Sequence, residues 1–498
     1  MDLTERRSRR LLLRTIASAS MAVGLGLSLP SPRAASPGPD SLSARWAQAM
    51  DELHVPGMSV LVVSGDGVVR NDLLGRRDVE RNLPLTPDTR MYIASCTKPF
   101  VACAAALLAT EGKLDLDLPL RQYLPRFTLA DAGYADSVTV RDLLCHRPGL
   151  AHRAITFGDA YTGEMTEDRY YRLLGQVQPG RHFRYSNLHY TLVGRVIEAV
   201  TGQSWKDVLA ERIFAPAGMT RTTCSASVLW ADDNIARPYD YSDGRYVIAT
   251  PLKVDATMHA AGGIVTTSAD LARWLRLLLG RGVLDGKRVL PAAAIRTTEA
   301  LLALEAAEPH PLVKSEVRLA WGAGWDIRTM NADTLYCHNG SFAGAGAFIS
   351  YMPGRDTAVA VIANGSGISV FLAELVAAEA YDAMLARSGS DVLPQLLAIA
   401  KKRAGPPTPA AHGTLSRRAR DYTGRFYNDD WGVLVVEMVG DSLTAHVGAL
   451  PLPVTLTGTN VIDAGGYAGR FEIDGAGRVQ AVWLKTAEPD SARFERTN

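Results

Sequence analysis

Three short stretches of this chain carry residue types that could do chemistry together. The first is Ser95-Cys96-Thr97-Lys98. A serine hydroxyl is a weak nucleophile until a base removes its proton, and a lysine three positions along a helix lies on the same face, one turn away. A serine at the start of that helix also faces free backbone N–H groups and the positive end of the helix dipole. A lysine reaching into such a dry, electropositive place loses basicity, from about 10.4 toward neutrality, and becomes able to accept a proton. The spacing alone is weak evidence, since about one or two such matches occur by chance in a chain of this size.

The second stretch is Tyr185-Ser186-Asn187, just before an apolar helical pattern at 190–200. A phenol near a lysine ammonium ionises more readily and can shuttle a proton between nucleophile and leaving group, while Asn187 offers both an amide donor and an acceptor. The same three residues also suit a plain helix start, with Ser186 or Asn187 capping and Tyr185 packing. The third is His338-Asn339-Gly340-Ser341. Glycine admits a close approach of backbone to ligand, so the N–H of Ser341, with that of Ser95, could form an oxyanion hole; the competing reading is a lone turn histidine.

Other chemistries find less support. The ten histidines are scattered and form no ligand cluster, so no metal is expected and no cofactor. The five cysteines (Cys96, Cys103, Cys145, Cys224, Cys337) make neither a zinc pattern nor a compact disulfide framework. They read as small buried hydrophobes, and Cys96, although beside the serine, has no histidine paired with it as a catalytic thiol requires. A net charge of +1 gives no reason to expect nucleic acid as a partner. The partner expected is a small-molecule or peptide substrate; oligomeric state is left open.

The elements that must position these residues alternate between β and α patterns. With 498 residues, more than one domain is expected. Residues 58–63 and 68–69, flanking Ser64-Gly65-Asp66-Gly67, read as strand, turn, strand. Residues 97–111 read as a helix stopped by Gly112. Helical patterns dominate to about residue 300, including 205–213 and 269–279; strands return at 346–351 and 357–362, and 370–386 reads as a closing helix. This is an α/β (α+β) domain with a sheet and a helical subdomain. Lys401-Lys402-Arg403-Ala404-Gly405-Pro406-Pro407-Thr408-Pro409 then reads as a connector, followed by short strands between Gly/Asp/Asn turns, a small all-β barrel or sandwich. The divisions expected are an export signal at 1–35, a lead-in at 36–44, a catalytic domain at 45–390, a linker at 391–418 and the β-module at 419–498.

The N-terminus has the order of an export signal: a basic segment with Arg9-Arg10, an apolar run at 16–29, and the small pair Ala34-Ala35. Paired arginines followed by leucines resemble the twin-arginine type, whose cargo crosses the membrane folded; an ordinary secretory signal is the alternative. The expected location is periplasmic or secreted. No stable membrane insertion is expected once the signal is removed, because no later stretch is a charge-free run of spanning length.

The order Ser-x-x-Lys, Tyr-Ser-Asn, His-x-Gly resembles the three-motif signature of the serine β-lactamase and D-Ala-D-Ala carboxypeptidase superfamily, class C branch. Residues 139–150, 214–219, 261–272 and Trp321-Gly322-Ala323-Gly324-Trp325 are similar to it too. The resemblance spans about 45–385, and Tyr422-Thr423-Gly424-Arg425-Phe426 resembles the small β-barrel appended to many of its peptidases and esterases. It implies a penicillin-binding-protein-like domain with an antiparallel sheet. It further implies that Ser95 forms an acyl-enzyme, that Lys98 and Tyr185 move the proton, that Asn187 contacts a substrate amide, and that His338 borders the pocket. Class C β-lactamases proper carry Lys-Thr-Gly where this chain has His338-Asn339-Gly340; a histidine is largely neutral at pH 7 and offers no fixed charge to a substrate carboxylate. The expected function is therefore a peptidase, amidase or esterase, with D-amino-acid or cell-wall peptides as one substrate class. A weak β-lactamase, a non-catalytic penicillin-recognising protein and an acyltransferase remain as alternatives.

Overall fold

The computed structural model describes residues 39–387, 391–403, 413–485 and 491–497; the expected export segment at 1–35 lies outside the described residues. Among these, nine strands form one antiparallel sheet in the order Ala303–Pro309, Glu316–Trp321, Asp326–Met330, Asp333–Phe342, Ala345–Met352, Thr357–Ala363, Gly57–Val63, Val68–Asp78 and Leu83–Pro84. The Gly57–Val63 strand pairs with Thr357–Ala363 from Met58↔Ala363 to Val63↔Ala358. Both faces of the central strands are buried, which is why the segment Gly-Met-Ser-Val-Leu-Val-Val is apolar at almost every position rather than alternating.

The period of two sorts these side chains into two cores. Leu61, Val63, Ala360 and Ile362 face one core with helices Lys98–Thr110, Asn187–Thr201 and Ser268–Leu279. Val60, Val62, Val359 and Val361 face a second, filled by helices Pro39–Glu52 and Ser369–Met384. The result is an α/β/α layering with the helical subdomain on the side of the first core.

Two stretches expected to be irregular are helical. The expected lead-in at 36–44 enters the helix Pro39–Glu52, whose Leu42, Trp46, Ala49 and Met50 recur at helical spacing and are buried in the second core together with Leu53 just beyond its end. The expected linker at 391–418 begins with a helix, Leu393–Arg403, that lays Val392, Leu393 and Leu396 into the same core. A few well-spaced leucines suffice when a neighbouring helix is already there to receive them.

The C-terminal module is a closed barrel of eight antiparallel strands, from Gly424–Asn428 to Ala492–Arg496, the last pairing with the first at Phe426↔Arg496. Phe157 and Tyr161 of the catalytic domain pack against its core, with Phe157 stacked 4.8 Å from Tyr161 and set edge-on 5.5 Å from Trp431. Backbone joins the two as well: Ala449 N–H donates to Thr162 O at 2.9 Å.

Candidate active site

Ser95 lies in a single turn of 3₁₀ helix, Ala94–Thr97, that runs directly into Lys98–Thr110. Ala94 holds φ +45°, a left-handed conformation costly for a residue with a Cβ. The strain is held by bonds from three directions. Cys96 N–H donates to Ile93 O at 3.1 Å, Ile264 N–H donates to Thr97 Oγ1 at 3.0 Å, and Cys96 Sγ–H donates to His338 O at 3.2 Å. Cys96 is thus a buried pin between turn and strand, and burial pushes its thiol up, away from the thiolate a nucleophile needs.

Lys98 is 0% exposed. Its Nζ lies 2.9 Å from Ser95 Oγ, 2.9 Å from Asn187 Oδ1 and 2.8 Å from Ala261 O. Burial drives the amine well below the ordinary lysine range, which favours its neutral form. A neutral amine has two N–H bonds and one lone pair. Ala261 O and Asn187 Oδ1 can only accept, so they take both N–H bonds, and the lone pair is left facing the Ser95 hydroxyl. That is the arrangement of a base poised on its nucleophile.

Tyr185 sits above this pair, with Lys98 Nζ 4.8 Å from its ring centroid. Its hydroxyl shares a hydrogen bond with Ser95, an interaction that favours the phenolate, yet burial outweighs it and holds the phenol above its ordinary range. Although the residue is 38% exposed, its ring is packed among His146 at 4.6 Å, Trp321 at 5.6 Å and His338 at 5.9 Å. Burial thus favours the neutral form of both groups, the amine and the phenol. Asn187 is the first residue of the helix Asn187–Thr201, capped by Ser186, whose side chain accepts the Leu188 N–H at 3.3 Å. With Oδ1 given to Lys98, Nδ2 is what Asn187 has to offer a substrate.

His338 and Gly340 stand on the strand Asp333–Phe342. A Cβ at Gly340 would lie 2.2 Å from Ile93 O and 3.1 Å from Ser95 N, so this strand runs hard against the nucleophile turn and only glycine fits. Ser341 follows on the exposed part of the same strand, paired with Gly346. His338 is 1% exposed, more deeply placed than a residue lining the mouth of a pocket; its Nδ1 lies 2.6 Å from Asn339 O. Burial, with the nearby Lys98 as a lesser cause, pulls it down to about 3, leaving an uncharged ring.

The sequence patterns thus supply Ser95, Lys98, Tyr185 and Asn187, which the fold brings into mutual contact, with Gly340 against the turn and His338 behind Tyr185. They do not announce the Ala261 carbonyl, a backbone atom with no signature beyond its glycine-rich surroundings, nor the aromatic wall of Phe183 stacked on Trp321 at 5.3 Å. Nor do they announce the buried pair His146 and His189 beneath the Tyr185 turn. Among the described residues no group of three or more His, Cys, Asp or Glu side chains could hold a metal ion, and no helix is long and apolar enough to cross a membrane.

The family model described as Beta-lactamase matches residues 42–381, the span that carries every one of these groups. The chain belongs to the beta-lactamase family. Among curated relatives, this beta-lactamase-family chain is 28% identical over 344 residues to penicillin-binding protein 4 of Amycolatopsis lactamdurans, covering 67% of this chain and 88% of that one. It also matches Protein flp of Staphylococcus aureus at 27% identity, spanning 60% of that protein's length. Two solved structures share its fold. One is the octameric penicillin-binding protein homologue from Pyrococcus abyssi, with TM-score 0.61 and 24% identity over 91% of this chain and 99% of that one. The other is the D-amino acid amidase from Ochrobactrum anthropi SV3, with TM-score 0.54 and 24% identity over 73% and 99%.

Proposed function

We propose that this beta-lactamase-family chain is a serine hydrolase that cleaves amide, peptide or ester bonds through an acyl-enzyme on Ser95. The observation that carries the reading is the buried Lys98 amine, its Nζ 2.9 Å from Ser95 Oγ, 2.9 Å from Asn187 Oδ1 and 2.8 Å from Ala261 O. Lys98 takes the hydroxyl proton as Oγ attacks the substrate carbonyl. The N–H groups of Ser95 and Ser341 receive the developing oxyanion. Tyr185 passes its phenolic proton to the departing amine or alkoxide and is refilled from Lys98, which returns the lysine to its neutral state. A water entering beside Tyr185 then releases the acyl group by the reverse relay.

The uncharged His338 supports substrates without a carboxylate at the position where a lysine of the third motif would grip one, hence amides, esters and peptides ahead of β-lactam antibiotics. The fold shared with a D-amino acid amidase supports D-amino-acid amides within that class. Hydrolysis of β-lactams at low rate is the second reading, favoured by the family itself. We further propose that residues 1–35 export the chain, a claim that fusion of that segment to a reporter active only outside the cytoplasm would test.

Purified protein should be profiled on nitrocefin, p-nitrophenyl esters, D- and L-amino-acid amides and short peptides, alongside Ser95→Ala. The expected result is turnover of amides or esters that vanishes in the variant. Fast nitrocefin turnover with no amide or ester cleavage would reverse the order of the two readings. Acyl transfer to an added amine in preference to water would make the protein a transferase.

A further inference from the structure

The amides on both sides of Tyr185 end on one residue. Arg184 N–H donates to the backbone carbonyl of His146 at 3.1 Å, and Ser186 N–H donates to Nδ1 of the His146 ring at 3.4 Å. His146 holds φ +60° and is wholly buried, a conformation and a place that cost stability unless something needs them. The Nδ1 that accepts from Ser186 must carry a lone pair. That same atom lies 2.8 Å from His189 Nδ1, and one of the two must hold a proton. Leu150 N–H decides which: it donates to His189 Nε2 at 3.0 Å, so that atom is a lone pair and His189 carries its proton on Nδ1. His189 therefore donates to His146, whose single Nδ1 lone pair is shared between His189 and Ser186, and His146 is protonated on Nε2, which has no hydrogen-bond partner among the described residues.

Burial is the leading cause that holds His146 well below its ordinary range and takes His189 down to about 3, which favours neutral rings. Two backbone N–H groups have thus set the tautomers of two buried imidazoles, and the pair closes on the turn that carries Tyr185. The His146 ring packs on the Tyr185 ring at 4.6 Å, while Tyr190, next to His189 in the helix Asn187–Thr201, donates its O–H to Leu144 O at 2.8 Å.

We propose that His146 and His189 form a positioning pair for the acylation of Ser95, an inference that rests on the hydrolase reading. His189 fixes the Nδ1 lone pair of His146, and that lone pair with the His146 carbonyl fixes the register of Tyr185 and Asn187 over Ser95 and Lys98. Neither imidazole exchanges a proton with substrate.

Asparagine and glutamine separate the role of one ring nitrogen from that of the other. His146→Asn puts an amide oxygen near the place of Nδ1, whereas His146→Gln carries it one bond further, toward Nε2. With p-nitrophenyl acetate as probe and Ser95→Ala as background, H146N is expected within a few-fold of the parent kcat. H146Q is expected to lose about 10²-fold in kcat at nearly unchanged KM, the effect of a misplaced proton donor rather than a lost binding contact. An active parent in which H146Q is as fast as H146N, or H146N as slow as H146Q, overturns the positioning role alone. A parent no faster than Ser95→Ala overturns the hydrolase reading and the positioning role with it. Long-range ¹H–¹⁵N spectra of the histidine-labelled full chain test the pair without any variant having to fold: His189 should appear as the Nδ1–H and His146 as the Nε2–H tautomer, and the opposite assignment at either ring refutes the mechanism of positioning.

Discussion

Replacing Gly340 by alanine tests how tightly the third-motif strand is pressed against the nucleophile turn. The added methyl would stand 2.2 Å from Ile93 O and 3.1 Å from Ser95 N. Both are backbone atoms, so neither can swing aside as a side chain would, and the carbonyl contact falls about 1 Å short of ordinary van der Waals separation. Relief requires the strand or the turn to move by that amount. Overpacking of this kind costs about 1–3 kcal/mol of stability. The catalytic cost is of similar size, because Ser95 sits in the turn that would be displaced, and a shift of about 1 Å in a reacting group costs about 10²-fold in rate, or about 2.7 kcal/mol of barrier. Thermal melting and the rate of Ser95 labelling by a fluorescent serine-directed acylating probe, measured on the same preparations, report the two effects separately. G340A should melt several degrees lower and label about 10²-fold more slowly. A variant that melts lower but labels at the parent rate would show that the strand yields without moving Ser95, and the reasoning about the turn would be wrong.

Lys98→Met should retain the fold and lose about 10²–10⁴-fold in acylation, the usual worth of a general base. In the parent, kcat/KM should climb with pH through the depressed Lys98 value, well below 10.5, since only the neutral amine accepts a proton; a rise that begins only near 10 would contradict a buried neutral lysine. Lys253, packed 3.8 Å from the Phe342 ring centroid and donating to Ala160 O and Thr257 O at 2.7 and 3.2 Å, is pushed down by burial to about 7. Between that value and its unfolded one, about 10.4, the unfolded chain binds more protons, so stability rises with pH across this window; Lys253→Met should flatten the rise in Tm between pH 7 and 10, followed by scanning fluorimetry. Arg328 reaches Asp326, Glu316 and Glu374 at 2.8, 2.9 and 2.6 Å, all of them buried. Arg328→Met leaves Glu316 buried without its guanidinium, while Asp326 keeps Arg318 at 2.9 Å and Glu374 keeps His310 at 3.5 Å, and it should cost about 3–5 kcal/mol in urea unfolding; a loss under 1 kcal/mol would mean the cluster is not held by the Arg328 guanidinium.

Much of the fold is legible along the chain because its signals are local. The apolar run at 58–63, the helical spacing of 269–279 and the Gly/Asp-punctuated strands after residue 420 each declare their own type; the first two chemical patterns sit at turns that enter helices, while the third lies within the strand Asp333–Phe342. The short helix Leu393–Arg403 was not legible, since three buried apolar residues look like linker until the second core is there to receive them. The division of labour between Lys98 and Tyr185 was not legible either. It depends on burial, which pushes the amine down and the phenol up from their ordinary values, and burial belongs to the assembled fold. His146 and His189, 43 positions apart, read as two of ten scattered histidines until two backbone amides are seen to choose their tautomers.

The pairing of Met58 with Ala363 places the two halves of one sheet at opposite ends of the catalytic domain. During synthesis the strand Gly57–Val63 must wait for about 300 further residues, on the order of 15–60 s at roughly 5–20 residues per second. Until then its first company is Val68–Asp78, joined to it by the short turn through Ser64 and Gly67. Seven nearly unbroken apolar residues with one open edge are a hazard over that interval, so this nascent chain should depend on a holding chaperone from the moment residue 63 emerges until residue 363 does.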